Sequence, residues 1–69
     1  MNLSGAIKEI MEREGWTQEE VARRAGLTPS AVHYHVNGRR SLSWKAAWKY
    51  HKNLGVPFDA MAPEIEQET

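Results

Sequence analysis

Residues 18–37, QEEVARRAGLTPSAVHYHVN, leave the backbone few options. Thr17, just ahead of them, is a good helix N-cap, and Glu20 three residues on can reach back as the acid of a capping box. Val21, Ala22 and Ala25 recur at helical spacing and give a first short helix one apolar face. Gly26 follows the last of them and can take the left-handed conformation that ends a helix. Leu27 is an apolar plug for the corner. Thr28 can cap a second helix with Pro29 as its first residue, where a missing N–H costs nothing. Val32 and Val36, one turn apart, face inward, and Asn37-Gly38 closes the element. The stretch predicts two short helices joined by a tight turn containing Gly.

The flanks read as helices too. Leu3, Ala6, Ile7, Ile10 and Met11 fall at i, i+3, i+4, i+7 and i+8, one apolar stripe over residues 3–14, with Lys8, Glu9, Glu12 and Arg13 on the wet side. Gly15 stops that helix, and Trp16 is expected to pack between it and the next. Beyond the 38–42 loop, Ser43 can cap a further helix whose inward stripe is read as Trp44, Ala47, Trp48, His51 and Leu54. Lys45, Lys49 and Lys52 take its other side. Gly55 ends it, and Val56-Pro57 turns the chain into a short helical piece at 58–61. The EIEQET ending has few apolar residues with which to order itself. The expectation is all-α: four to five short helices in one domain over residues 1–61, then a disordered acidic tail over 62–69.

At 69 residues the chain is near the lower limit for a self-sufficient core. It has no cysteine, which excludes disulfides and thiolate metal sites, so its three Trp, two Tyr and one Phe must supply most of the large apolar surface. No apolar run is as long as a membrane span and the first residues lack a signal pattern, which predicts a soluble, cytoplasmic protein. A net charge of zero argues at first against a polyanionic partner, but the distribution argues for one. Residues 21–58 contain no Asp or Glu, yet hold seven bases: Arg23, Arg24, Arg39, Arg40, Lys45, Lys49 and Lys52. All nine acids lie outside that run, so a basic face and an acidic back are expected.

Other chemistries find little support. His33 and His35 are two residues apart, so on a helix they point about 200° apart and cannot chelate one ion. His33 reads as outward-facing and His35 as partly buried against the fourth helix. Glu19 and Glu20 are adjacent and splay, and Gly-rich phosphate loops or a spaced nucleophile–base set are absent. Neither catalysis, a cofactor nor a metal is expected.

The spacing resembles the helix-turn-helix of the phage-repressor (lambda repressor and Cro) family, also called the xenobiotic-response-element family. The matching residues are Gln18, Val21-Ala22, Ala25-Gly26-Leu27, Val32 and Asn37-Gly38-Arg39-Arg40, followed by Ala47, Trp48, Tyr50, Leu54-Gly55-Val56 and Phe58-Asp59. Over roughly residues 3–61 it departs from the family pattern at His35, where a large apolar residue is usual, and at His51, where a small one is.

The resemblance implies a sequence-specific, double-stranded DNA-binding transcriptional regulator, Cro-like or a minimal repressor, with a recognition helix at about residues 29–37 in the major groove. Thr28, Pro29, Ser30, His33 and Tyr34 would then face base edges, while Gln18, Asn37, Arg39 and Arg40 would hold phosphates. Pro29 can offer only van der Waals contact, for example to a thymine methyl. A homodimer is expected, with Val56, Pro57, Phe58 and Met61 as its interface. The alternative is an antitoxin or protein-interaction module that uses the same domain to hold a protein partner.

Overall fold

In a computed structural model that describes residues 2–37 and 42–65, the chain forms five α-helices in sequence. They are α1 (Leu3–Glu14), α2 (Gln18–Ala25), α3 (Pro29–Val36), α4 (Trp44–Leu54) and α5 (Phe58–Met61), and a 3-10 turn follows at Ala62–Glu64. Local chemistry sets each boundary. The side chains of Asn2, Thr17, Thr28 and Ser43 accept from the backbone N–H of Gly5, Glu20, Ala31 and Ala46, at 2.7, 3.2, 3.1 and 3.1 Å. At the α2–α3 corner Gly26 has φ 79°, a conformation that side-chain-bearing residues rarely adopt, and both its N–H and that of Leu27 return to the Ala22 carbonyl at 2.9 Å.

The core is where the stripes meet. Leu3, Ile7 and Ile10 of α1 pack with Val21, Ala22 and Ala25 of α2, Val32 and Val36 of α3, and Val56, Ala60 and Met61. Trp16 and Leu27 are half-buried against it, as their positions between helices predict.

Four features differ from the sequence reading. The first is the roll of α4. Its buried residues are Ala46, Ala47 and Tyr50, while Trp44 and Trp48 stand 64% and 59% exposed. The small alanines let α4 come close, and Tyr50 goes inside because its hydroxyl meets His35 there. The second is the capping box, of which only half forms. Thr17 caps, but the Glu20 carboxylate accepts from Arg23 and Arg24 on its own helix.

The third is the stretch from residue 62, expected to be tail. Up to Ile65 it is packed: Ile65 is buried, forms a parallel bridge with Leu42, and the Leu42 N–H donates to the Glu64 carbonyl at 2.8 Å. The Leu3 N–H also donates to the Glu64 carboxylate at 2.9 Å, so a side chain late in the chain serves the first turn of α1. The fourth concerns the expected dimer residues. Val56 and Met61, at 1% and 0% exposure, belong to the monomer core, since a domain this small has few apolar side chains with which to fill its centre. Pro57 is exposed and Phe58 half-buried.

Candidate nucleic-acid interface

The face opposite the core of α3 is formed by Pro29, Ser30, His33 and Tyr34, all exposed. Gln18 and Glu19, from the first turn of α2, stand across an open groove from them, with Thr17 at its end. Of the residues expected to face DNA, Gln18, Pro29, Ser30, His33 and Tyr34 are thus brought together on one surface. Thr28 lies just before them, exposed, with its hydroxyl oxygen engaged as the α3 cap. Asn37 is exposed at the other end, its amide folded back to donate to the His33 carbonyl at 2.8 Å. Arg39 and Arg40 lie outside the described residues.

What aims this face is the packing beneath it. Val32 is fully buried between α1 and α2, and His35, on the inner side of α3, lies edge-on to the Tyr50 ring with Nδ1 2.8 Å from the Tyr50 hydroxyl. Burial pushes the Tyr50 phenol above its ordinary ionisation range, which keeps the hydroxyl protonated and able to hydrogen-bond. The α2–α3 corner is held from the other flank of α4. Lys49 Nζ donates to the Gly26 carbonyl at 3.0 Å and Asn53 Nδ2 to the Ala25 carbonyl at 2.8 Å, satisfying carbonyls that the end of α2 leaves unpaired. Sequence reading placed Lys49 on a wet face and gave Asn53 no role. Their spacing of one turn on the side opposite the tryptophans was the available signal.

The charges are less free than the acid-free run suggests. Arg23 and Arg24 both donate to Glu20, and Arg24 also lies over the Trp16 ring, 4.2 Å from its centroid. The hydrogen bond from Arg23, and then Arg24, holds the Glu20 carboxyl below its usual range. Lys45 and Lys52 remain exposed on α4.

A second surface was not anticipated. Trp44 and Trp48, one turn apart, lean on Phe58 with ring centroids 6.3 and 5.6 Å away, and Trp48 stacks on His51 at 5.7 Å. His51 Nδ1–H donates to the Val56 carbonyl at 2.9 Å, so the unusual histidine buttresses the turn into α5. This aromatic face lies on the side of α4 away from Lys49 and Asn53, hence away from the α2–α3 corner.

A profile of the helix-turn-helix family matches residues 7–61, which spans most of the chain and the whole α2–α3 surface. The chain belongs to the helix-turn-helix family, of the Cro/C1 type. No curated protein and no solved structure gives a match. Helix-turn-helix proteins of this type are DNA-binding regulators. Among the described residues, no group of His, Cys, Asp or Glu is placed to hold a metal ion, and no helix is long and apolar enough to cross a membrane.

Proposed function

We propose that this helix-turn-helix protein is a sequence-specific regulator of transcription that inserts α3 into the major groove of duplex DNA. The observation that carries this reading is the exposed face of α3. Ser30, His33 and Tyr34, three side chains able to hydrogen-bond base edges, line one groove with Gln18, which is positioned to hold the backbone. Tyr34 is one helical turn past Ser30, so the two can address neighbouring base pairs. Anisotropy titrations against a random-sequence duplex pool, followed by selection of the bound fraction, test it. A recovered consensus bound at least about a thousandfold more tightly than the starting pool is expected. Recovery of no consensus would reduce the protein to a non-specific binder, and absence of binding would end the reading.

The protein acts on DNA as a homodimer in this reading, since one recognition helix spans too few base pairs for useful selectivity. With Val56 and Met61 inside the core, the face that supports pairing is Trp44, Trp48 and Phe58, apolar and directed away from the α2–α3 corner. Lys45, beside it, and Asp59, next to Phe58, are exposed and of opposite charge, as a self-complementary surface needs. The same face supports the second reading, an antitoxin-like module that holds a protein partner. Sedimentation with and without a palindromic duplex separates the two. Two subunits per duplex, reduced to one by Trp48→Ala, favour the homodimer, and one subunit per duplex for the unaltered protein removes it.

A further inference from the structure

We propose that the Glu19 carboxylate is an electrostatic brake on DNA binding, built into the wall of the recognition groove. Glu19 and Glu20 are adjacent, and one helical step of about 100° sends them into different surroundings. Glu20 is held by Arg23 and Arg24. Arg23 is also four residues beyond Glu19, a spacing that commonly neutralises an acid on a helix, but its guanidinium is drawn to Glu20 instead. Among the described residues Glu19 enters no ion pair. It is exposed and lines the groove with Gln18, Ser30, His33 and Tyr34. This wall of the groove therefore carries a negative charge that no described side chain pairs with.

That charge suits the free protein, because the first turn of α2 is the positive end of a helix dipole. It opposes the complex, because the first motif helix crosses the sugar–phosphate backbone when the second enters the groove. A unit charge about 4 Å from a phosphate weighs about fivefold in an equilibrium constant in water. The effect is indifferent to sequence and lowers specific and non-specific binding alike. A subunit restrained this way occupies DNA poorly alone, and occupancy comes to depend on the paired copies.

The inference rests on the DNA-binding reading, and its test separates the two. The full chain is compared with Glu19→Gln, Glu19→Ala and Glu9→Gln on a random-sequence duplex and on the best duplex selected from it. Glu9→Gln makes the same change in net charge in a different groove, which Glu9 lines between α1 and the α4–α5 connection. Both Glu19 variants should bind both duplexes about three- to tenfold more tightly at low salt, the gain shrinking as salt screens the charge. Glu9→Gln should change either affinity by less than about twofold. All three should melt within a few degrees of the unaltered protein, since neither carboxylate forms a described ion pair. Equal gains from Glu19→Gln and Glu9→Gln would assign the effect to net charge and overturn the brake. So would unchanged affinity in both Glu19 variants while the unaltered protein binds. If the unaltered protein binds no duplex, the DNA-binding reading falls first and the brake falls with it.

Discussion

The Nδ1 of His35 and the hydroxyl of Tyr50 meet at 2.8 Å inside the core, joining the recognition helix to α4. Tyr50→Phe takes this buried hydrogen bond away. The expected cost is about 1–3 kcal/mol, seen in thermal melting as about 4–8 °C lost per kcal/mol. Combined with His35→Leu, the two losses should be non-additive, as expected of residues that share a hydrogen bond. If Tyr50→Phe melts with the unaltered protein, the bond has no net weight.

The same tyrosine sets an alkaline limit. Its phenol is raised in the folded state by burial, so the unfolded chain releases that proton first as pH climbs. Stability is therefore complete below the ordinary tyrosine range and should decline once pH passes about 10. Phenolate absorbance should show Tyr50 ionising only as the protein unfolds. Ionisation of Tyr50 in the folded protein at the ordinary tyrosine range would contradict its buried environment.

The tyrosine–histidine pair also explains why α4 was hard to read. Two Trp and a His one turn apart look like an inward stripe when apolarity alone is scored. The inner face belongs instead to two alanines and a tyrosine, and the tyrosine's place depends on a histidine fifteen residues earlier. No local period contains that information. By contrast, the α2–α3 corner was legible because Thr17, Gly26, Thr28 and Pro29 each determine their own backbone. The groove residues were legible for the same reason, since their exposure follows from a helix whose inner side is Val32 and Val36. Ile65 was not, as one apolar residue among acids has no pattern to announce its partner.

The corner has its own test. Asn53→Ala withdraws a donor from the Ala25 carbonyl and should cost about 0.5–1.5 kcal/mol in urea unfolding. Lys49→Met should cost less, because the Gly26 it serves is exposed and water can replace the ammonium. A larger loss from Lys49→Met than from Asn53→Ala would reverse this ranking.

Ser30→Ala and Tyr34→Phe should each change which duplex is preferred, at a cost of about 1–3 kcal/mol on the best site. Gln18→Ala should instead weaken all sequences about equally. Parallel titrations on selected and random duplexes distinguish these outcomes. Uniform losses from Ser30→Ala and Tyr34→Phe would reassign both to the backbone.

Salt should weaken binding, but less steeply than seven bases would suggest. Arg23 and Arg24 are engaged by Glu20, which leaves five others: Arg39, Arg40, Lys45, Lys49 and Lys52. At about 0.9 per neutralised phosphate, the log–log slope should not exceed about 4.5 per subunit. A steeper slope would mean that DNA pulls Arg23 or Arg24 off Glu20.

The bond between the Leu3 N–H and the Glu64 carboxylate bears on where this domain can be cut. The family match runs from residue 7 to residue 61, yet Leu3 and Ile65 are both buried. A fragment trimmed to the match would strip the first turn from α1, open the pocket that Leu3 fills and leave Leu42 bare where Ile65 had covered it. The smallest piece that keeps this core intact is therefore several residues longer at each end than the shared signature. The added residues at the two ends are each other's neighbours in space.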